Sequence, residues 1–180
     1  MKIIVINGSG GAGKDTFIKY CREANHEIYS FSTVDYVKDI ATLIGWNGKK
    51  DMRGRRFLSD LKDALSEYND TPFKRCVEEI QEVMDDYFRL NKDTKNLIFF
   101  VHSREPKEIQ RWKDLYNAQA LLIRRVQSEK QEFTNHADLE VTNFDYDYVY
   151  WNEHELEDVR FDAKSWMEWL MLQPWESKIE

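Results

Sequence analysis

Cysteine, proline and long apolar runs are scarce in this 180-residue chain, and each scarcity closes off a class of protein. Cys21 and Cys76 are too few for a disulfide framework, and both fall in helical patterns, where a buried free thiol is the default. No apolar stretch approaches the length of a membrane span, and residues 3–6 are too short for the core of a signal peptide. A soluble cytoplasmic protein with no membrane partner is therefore expected. The four histidines, His26, His102, His136 and His154, show no ligand spacing, which argues against a histidine-built metallohydrolase. Positive charge is also in deficit. A net charge of −7 argues against broad, sequence-independent nucleic-acid binding, while leaving room for a small ligand in a local basic pocket. No repeat, low-complexity tract or linker justifies a cut, so residues 1–180 read as a single domain with one sizeable core.

What is present is an alternation of short strands and helices, the pattern of an α/β fold with a parallel sheet. The strand candidates are residues 2–6, 27–31, 97–101, 120–123 and 147–150. The first, third and fourth are continuous apolar runs, as strands covered on both faces should be. The 65 residues between the second and third candidates need structure of their own. Ser32 or Thr33 can cap a helix bearing Val34, Val37, Ile40, Ala41 and Ile44, with Gly45 as its stop. Phe57, Leu58, Leu61, Leu65 and Tyr68 make a second stripe, and Asn69-Asp70-Thr71-Pro72 ends that helix and starts a third, with Phe73, Cys76, Val77, Ile80, Val83, Met84, Tyr87 and Phe88 at helical spacing. Pro106 opens a helix with Ile109, Trp112, Leu115 and Tyr116. A last helix is expected from Asn152, with Glu155 as its capping-box partner.

The densest chemical signal is Gly8-Ser9-Gly10-Gly11-Ala12-Gly13-Lys14-Asp15-Thr16, between the first strand candidate and a helical pattern. Strand, glycine loop and helix are the context that a phosphate-binding loop requires. Its glycines let backbone N–H groups turn toward a polyphosphate at a helix N-terminus, and Lys14 would reach the β- and γ-phosphates. The bland reading is an ordinary glycine-rich βα turn. Where such loops usually carry a Ser or Thr hydroxyl for Mg²⁺, this one has Asp15.

Phosphoryl transfer from ATP is mostly positioning and charge neutralisation, so cations and a metal site are the next requirement. Candidate catalytic cations are Lys14, Arg104 after the third strand, and Arg124 and Arg125 beyond the fourth, where ligands of open α/β sheets bind. For the metal, Asp15 is the first candidate, directly or through water, with Asp35 and Glu105 behind it; alternatively Asp15 orients Lys14 or faces solvent. His102 ends the third strand and is a poor ligand for a hard ion. Lys49, Lys50, Arg53, Arg55 and Arg56 form one dense basic cluster, either a solvated helix start or an anion site, to which Lys38 and Lys62 can contribute. Residues 124–146 are mostly polar and are either a lid or a plain surface loop.

Three features resemble the nucleoside monophosphate kinases, and most of all the phage-type deoxynucleoside monophosphate kinases. They are the loop ending Gly13-Lys14-Asp15-Thr16, the segment Arg104-Glu105-Pro106-Lys107-Glu108, and the tail from the arginines at 124–125 through Asp145–Asn152 into a helix. The family's strand-end Asp falls on His102, its Arg on Arg104 and its Glu on Glu108. The resemblance implies an adenylate-kinase-like, three-layer P-loop fold with a five-stranded parallel sheet and helices on both faces. It implies a kinase that uses ATP with Mg²⁺, bound by Gly8, Gly10, Gly11, Ala12, Gly13, Lys14, Asp15 and Thr16. The resemblance gives the acceptor as a small phosphorylated molecule, a (deoxy)nucleoside monophosphate; the residues themselves, not a family motif, place it in a helical insertion at 33–95, with Asp35, Lys38, Arg53, Arg56 and Lys62 as its candidate contacts. A kinase of another phosphorylated metabolite, or a nucleotide-binding protein with little catalysis, are the other readings.

Overall fold

The computed structural model describes residues 1–25, 27–90, 92–126, 141 and 144–174. Five strands form one sheet: β1 (Lys2–Asn7), β2 (Ile28–Ser32), β3 (Ile98–His102), β4 (Gln119–Arg124) and β5 (Tyr148–Trp151). All pairings are parallel and the spatial order is β2-β3-β1-β4-β5. The expected α/β class with a five-stranded parallel sheet therefore holds. Six helices accompany the sheet among the described residues: α1 (Lys14–Ala24), α2 (Asp35–Leu43), α3 (Met52–Asn69), α4 (Thr71–Arg89), α5 (Pro106–Tyr116) and α6 (Leu156–Leu172).

Strand alternation sorts the core into two layers. Ile4 and Ile6 of β1, with Ile98 and Phe100 of β3, face Phe17, Ile18 and Cys21 of α1 and Ala163, Met167 and Leu170 of α6. Ile3 and Val5, with Phe99 and Val101, face Phe73, Cys76, Ile80, Met84 and Tyr87 of α4 and Ile109 and Trp112 of α5. Successive side chains point to opposite faces, so an unbroken apolar run is what a doubly covered strand needs. Phe17 packs at 4.9 Å from Tyr150 and 5.6 Å from Trp166, fastening α1 to the far edge of the sheet; burying such a ring contributes about 1.5 to 3 kcal/mol. Both cysteines are free and buried, as expected. Helices α2 and α3 make a smaller cluster of their own from Val37, Ala41 and Leu58, with Trp46, Phe57, Leu61 and Leu65 half-buried against it.

Local departures from the sequence reading have local causes. The last helix begins at Leu156 instead of Asn152, because Asn152 is drawn inward to Ala12, and Glu155 is the N-cap without a side-chain cap bond. No side chain caps α2 either: its N-cap is Val34, Ser32 Oγ accepts from the Val34 N–H, and Thr33 Oγ1 donates to Glu108. Ile44, Tyr68 and Phe88 complete their stripes in sequence yet stand exposed, at the ends of helices that run past the layer they cover. The Asn69–Pro72 junction behaves as expected, with Asp70 at φ 61° closing α3 and opening α4. No helix among the described residues is long and apolar enough to cross a membrane.

Candidate active site

The sheet order reverses direction at β1. The chain leaves β1 for β2 on one side, while β4 lies on the other, and at such a switch point the loops part and leave a crevice at the strand C-termini. The loop from Gly8 to Gly13 fills that point, between His102 at the end of β3 and Ile123 of β4. Two glycines are required by geometry. Gly8 has φ +146°, and a Cβ there would lie 2.4 Å from the carbonyl oxygen of Ile123; Gly13, the N-cap of α1, has φ +100°, and a Cβ would lie 2.3 Å from Asn152 Nδ2. The loop is tied from both sides. Asn7, fully buried, accepts from the Gly8 N–H at 2.7 Å and donates to the Arg104 carbonyl at 3.2 Å and the Tyr146 hydroxyl at 2.6 Å. Tyr146 in turn donates to the Val141 carbonyl at 2.7 Å, and burial pushes its hydroxyl pKa up to about 12, so it remains a donor. Asn152 donates to the Ala12 carbonyl at 2.7 Å while its own N–H donates to the Arg124 carbonyl. Lys14 bends back over the loop, its ammonium donating to the Gly8 carbonyl at 2.6 Å and the Ser9 carbonyl at 3.0 Å.

A cavity of about 510 Å³ opens from this loop toward α2 and α3. Gly10, Gly11, Lys14 and Asp15 line its loop end, while Asp35, Lys38, Leu58, Ser59 and Lys62 line the other. Six cationic side chains (Lys14, Lys38, Lys50, Arg55, Lys62 and Arg104) meet three acidic ones (Asp15, Asp35 and Glu105) around it. In a chain of net charge −7 this wall favours anions. Lys38 pairs with Asp35 at 2.5 Å. Lys62 is buried, with Glu105 at 2.8 Å and Glu108 at 3.0 Å. Burial alone would lower its pKa, but the two carboxylates, Glu108 foremost, outweigh that and hold it above the ordinary lysine value. Glu108 also accepts from Thr33 at 3.2 Å and from Ser103, so one carboxylate gathers the ends of β2 and β3 with α3 and α5.

His102 closes the floor. Its Nε2 lies 3.1 Å from Ser30 Oγ and 3.7 Å from Asp15 Oδ1. Burial pushes its pKa down to about 4, against the attraction of Asp15, so the ring is neutral near pH 7 and adds no charge that would repel a cation. The Asp15 side chain is 96% exposed and opens into the cavity beside Lys14. No group of three or more metal-ligating side chains stands together among the described residues. A hydrated Mg²⁺ fits this donor set, since that ion is usually held by one or two carboxylates with phosphate oxygens and water, not by a protein cage.

The sequence-predicted residues separate on this frame. Gly10, Gly11, Lys14, Asp15, Asp35, Lys38, Lys62 and Arg104 line one cavity. Gly8, Ala12, Gly13 and Thr16 shape the loop and the first turn of α1 without lining it. Arg53 and Arg56, expected to grip the acceptor, do not line the cavity; both are exposed and Arg56 faces Asp60 at 3.7 Å. The face of α3 that lines it instead carries Arg55, Leu58, Ser59 and Lys62, at the i, i+3, i+4, i+7 spacing of one helical side. Lys62 lines the cavity but directs its ammonium to Glu105 and Glu108, which makes it a structural cation more than a free anion receptor. Arg124 stacks over Trp151 at 4.2 Å from the ring centroid, and neither it nor Arg125 lines the cavity. Most of the expected lid, residues 127–140 with 142 and 143, lies outside the described residues, as do His26 and His136. Asn7, Ser30 and Ser103 escaped the sequence reading. The one available signal was at Asn7, a polar residue ending an apolar run.

No family model matches the chain, and no curated protein matches it. Among solved structures it is similar to the dephospho-CoA kinase from Campylobacter jejuni, at 17% identity over 94% of this chain and 97% of that one with a TM-score of 0.48. It is similar to the shikimate kinase from Aquifex aeolicus vf5, at 12% identity over 94% and 98% with a TM-score of 0.46. A sugar kinase from Janibacter sp. HTCC2649 is similar at 13% identity over 93% and 95% with a TM-score of 0.44. At such identities and scores the likeness is remote and assigns neither an activity nor a substrate to this chain.

Proposed function

We propose that this protein is an ATP-dependent small-molecule kinase, a phosphotransferase that moves the γ-phosphoryl group of ATP with Mg²⁺ to a (deoxy)nucleoside monophosphate. One observation carries the reading: a single cavity joins a glycine loop bearing Lys14 to a helical pair across the strand C-termini, with six cationic residues on its wall. Phosphoryl transfer needs a phosphate cradle, surrounding cations and an acceptor pocket within reach of both, and little covalent chemistry from the protein. Lys14 would neutralise the β- and γ-phosphates, and the loop N–H groups would cradle them. Asp15 would hold Mg²⁺, which lowers the charge on the phosphates when bound. Lys38, Arg104 and Ser59 would face the acceptor. Helices α2 and α3, in the 33–95 insertion, would carry it, and the 124–146 segment with Arg124 and Arg125 would close over the transferred group.

His102, standing where a strand-end carboxylate would be expected, favours a second reading: a nucleotide-binding protein with little turnover. Incubation with ATP, Mg²⁺ and a panel of nucleoside monophosphates separates the two. ADP formation that depends on one acceptor supports the kinase; tight ATP binding without turnover supports the binding protein. Lys14→Ala should lower ATP affinity by orders of magnitude, because it removes the cation that donates to the Gly8 and Ser9 carbonyls at the mouth of the loop. Unchanged nucleotide binding in that variant by calorimetry would remove the phosphate-loop assignment.

A further inference from the structure

An arginine from α3 lies against the phosphate loop. A Cβ built on Gly10 would sit 3.5 Å from Arg55 Nη1, so the guanidinium packs directly over the bare Cα of that residue. Gly10 and Gly11 are, with Lys14 and Asp15, the loop residues that face the cavity. Resting on the kinase reading above, we propose that Arg55 is a further catalytic arginine, one that neutralises the phosphoryl group in flight from α3, on the side of the cavity away from Arg124 and Arg125.

Its placement is built. Arg55 Nε donates to the Lys50 carbonyl at 2.9 Å, which sets the plane of the guanidinium and turns Nη1 toward Gly10. Asp51 caps the helix by accepting from the Gly54 N–H at 2.8 Å. Gly54 is itself buried, and a Cβ there would lie 2.0 Å from the Lys49 carbonyl oxygen and 3.1 Å from Trp46 Nε1, so the turn at 46–51 is clamped onto the first turn of α3. The neighbouring arginines have no such position: Arg53 and Arg56 sit on other sides of α3, outside the cavity wall.

The chemistry suits the residue. The bond between the γ-phosphorus and the β–γ bridging oxygen breaks, ADP leaves with that electron pair, and a new bond forms from the same phosphorus to an oxygen of the acceptor phosphate. A phosphate dianion needs no proton removed, so the barrier is one of charge among crowded oxygens. A planar fork aimed at that point stabilises the transition state more than bound ATP. Arginines used in this way accelerate turnover by about 10³- to 10⁵-fold. Placement on α3 also links catalysis to the acceptor, because the same helix face carries Ser59 and Lys62.

The test compares Arg55→Ala, Arg55→Lys and Lys14→Ala in the full chain. Turnover is measured with ATP and the best acceptor of a nucleoside monophosphate panel. Calorimetry measures ADP with Mg²⁺, with and without aluminium fluoride, which supplies a mimic of the transferred group. Arg55→Ala should lower kcat about 10³-fold, leave ADP affinity within about threefold, and abolish the tightening that aluminium fluoride confers. Arg55→Lys should recover less than about a tenth of the parent kcat. A kcat loss below about a hundredfold, or an equal loss of ADP affinity, overturns the proposal. Retained ADP binding in Lys14→Ala would instead overturn the phosphate-loop reading, and the role of Arg55 with it.

Discussion

Replacing Lys62 with methionine removes the cation between Glu105 and Glu108 while keeping most of the side-chain volume. The two carboxylates differ in what they can do next. Glu105 is 31% exposed and can turn toward water, whereas Glu108 is 11% exposed and remains inside with the hydroxyls of Thr33 and Ser103. Leaving one member of a buried pair uncompensated costs about 3 to 5 kcal/mol. For a domain of this size that corresponds to a fall in Tm of about 6 to 20 °C. Urea unfolding of the variant and the parent at pH 7 reads this directly. The double variant Lys62→Met, Glu108→Gln keeps an acceptor for the two hydroxyls and should recover most of the loss at pH 7. A cost below about 1 kcal/mol refutes the assignment of Lys62 and Glu108 as a buried structural pair.

Other outcomes are expected from the same geometry. Asp15→Asn should raise the Mg²⁺ concentration needed for ATP binding or turnover, because it keeps the size of the side chain and deletes the charge; an unaltered Mg²⁺ titration at full activity would return Asp15 to a solvent-facing role. Arg124→Ala and Arg125→Ala should lower kcat more than ATP affinity if the 124–146 segment closes during transfer, whereas normal turnover with a lower Tm in Arg124→Ala would leave Arg124 as a stacking partner of Trp151. Asn152→Ala leaves the buried Ala12 carbonyl without its donor and should cost about 1 to 3 kcal/mol, with weaker nucleotide binding measured by calorimetry as the loop loosens.

The sequence by itself determined the strand–glycine loop–helix unit and the class of the fold. Gly8 to Thr16 is a contiguous strand–loop–helix unit whose backbone is governed by its own glycines, and the runs at 2–6, 97–101 and 120–123 could be satisfied only by strands covered on both faces. Helix positions were legible for the same reason, since their periodicity is local. The partners that complete the site were not. Asn152 reads as a helix start in sequence, but packing carries it to Ala12, 140 residues away. Arg55 is indistinguishable from Arg53 and Arg56 as one charge in a basic run. Only the phase of α3, set by burying Leu58 against Val37 and Ala41, turns Arg55 toward Gly10 and the other two away. Lys62 likewise looks like a ligand-gripping cation until the fold brings Glu105 and Glu108 to it. A chemical motif confined to one turn is encoded where it stands, whereas a charge acquires its role from whatever the closed core places within about 4 Å of it.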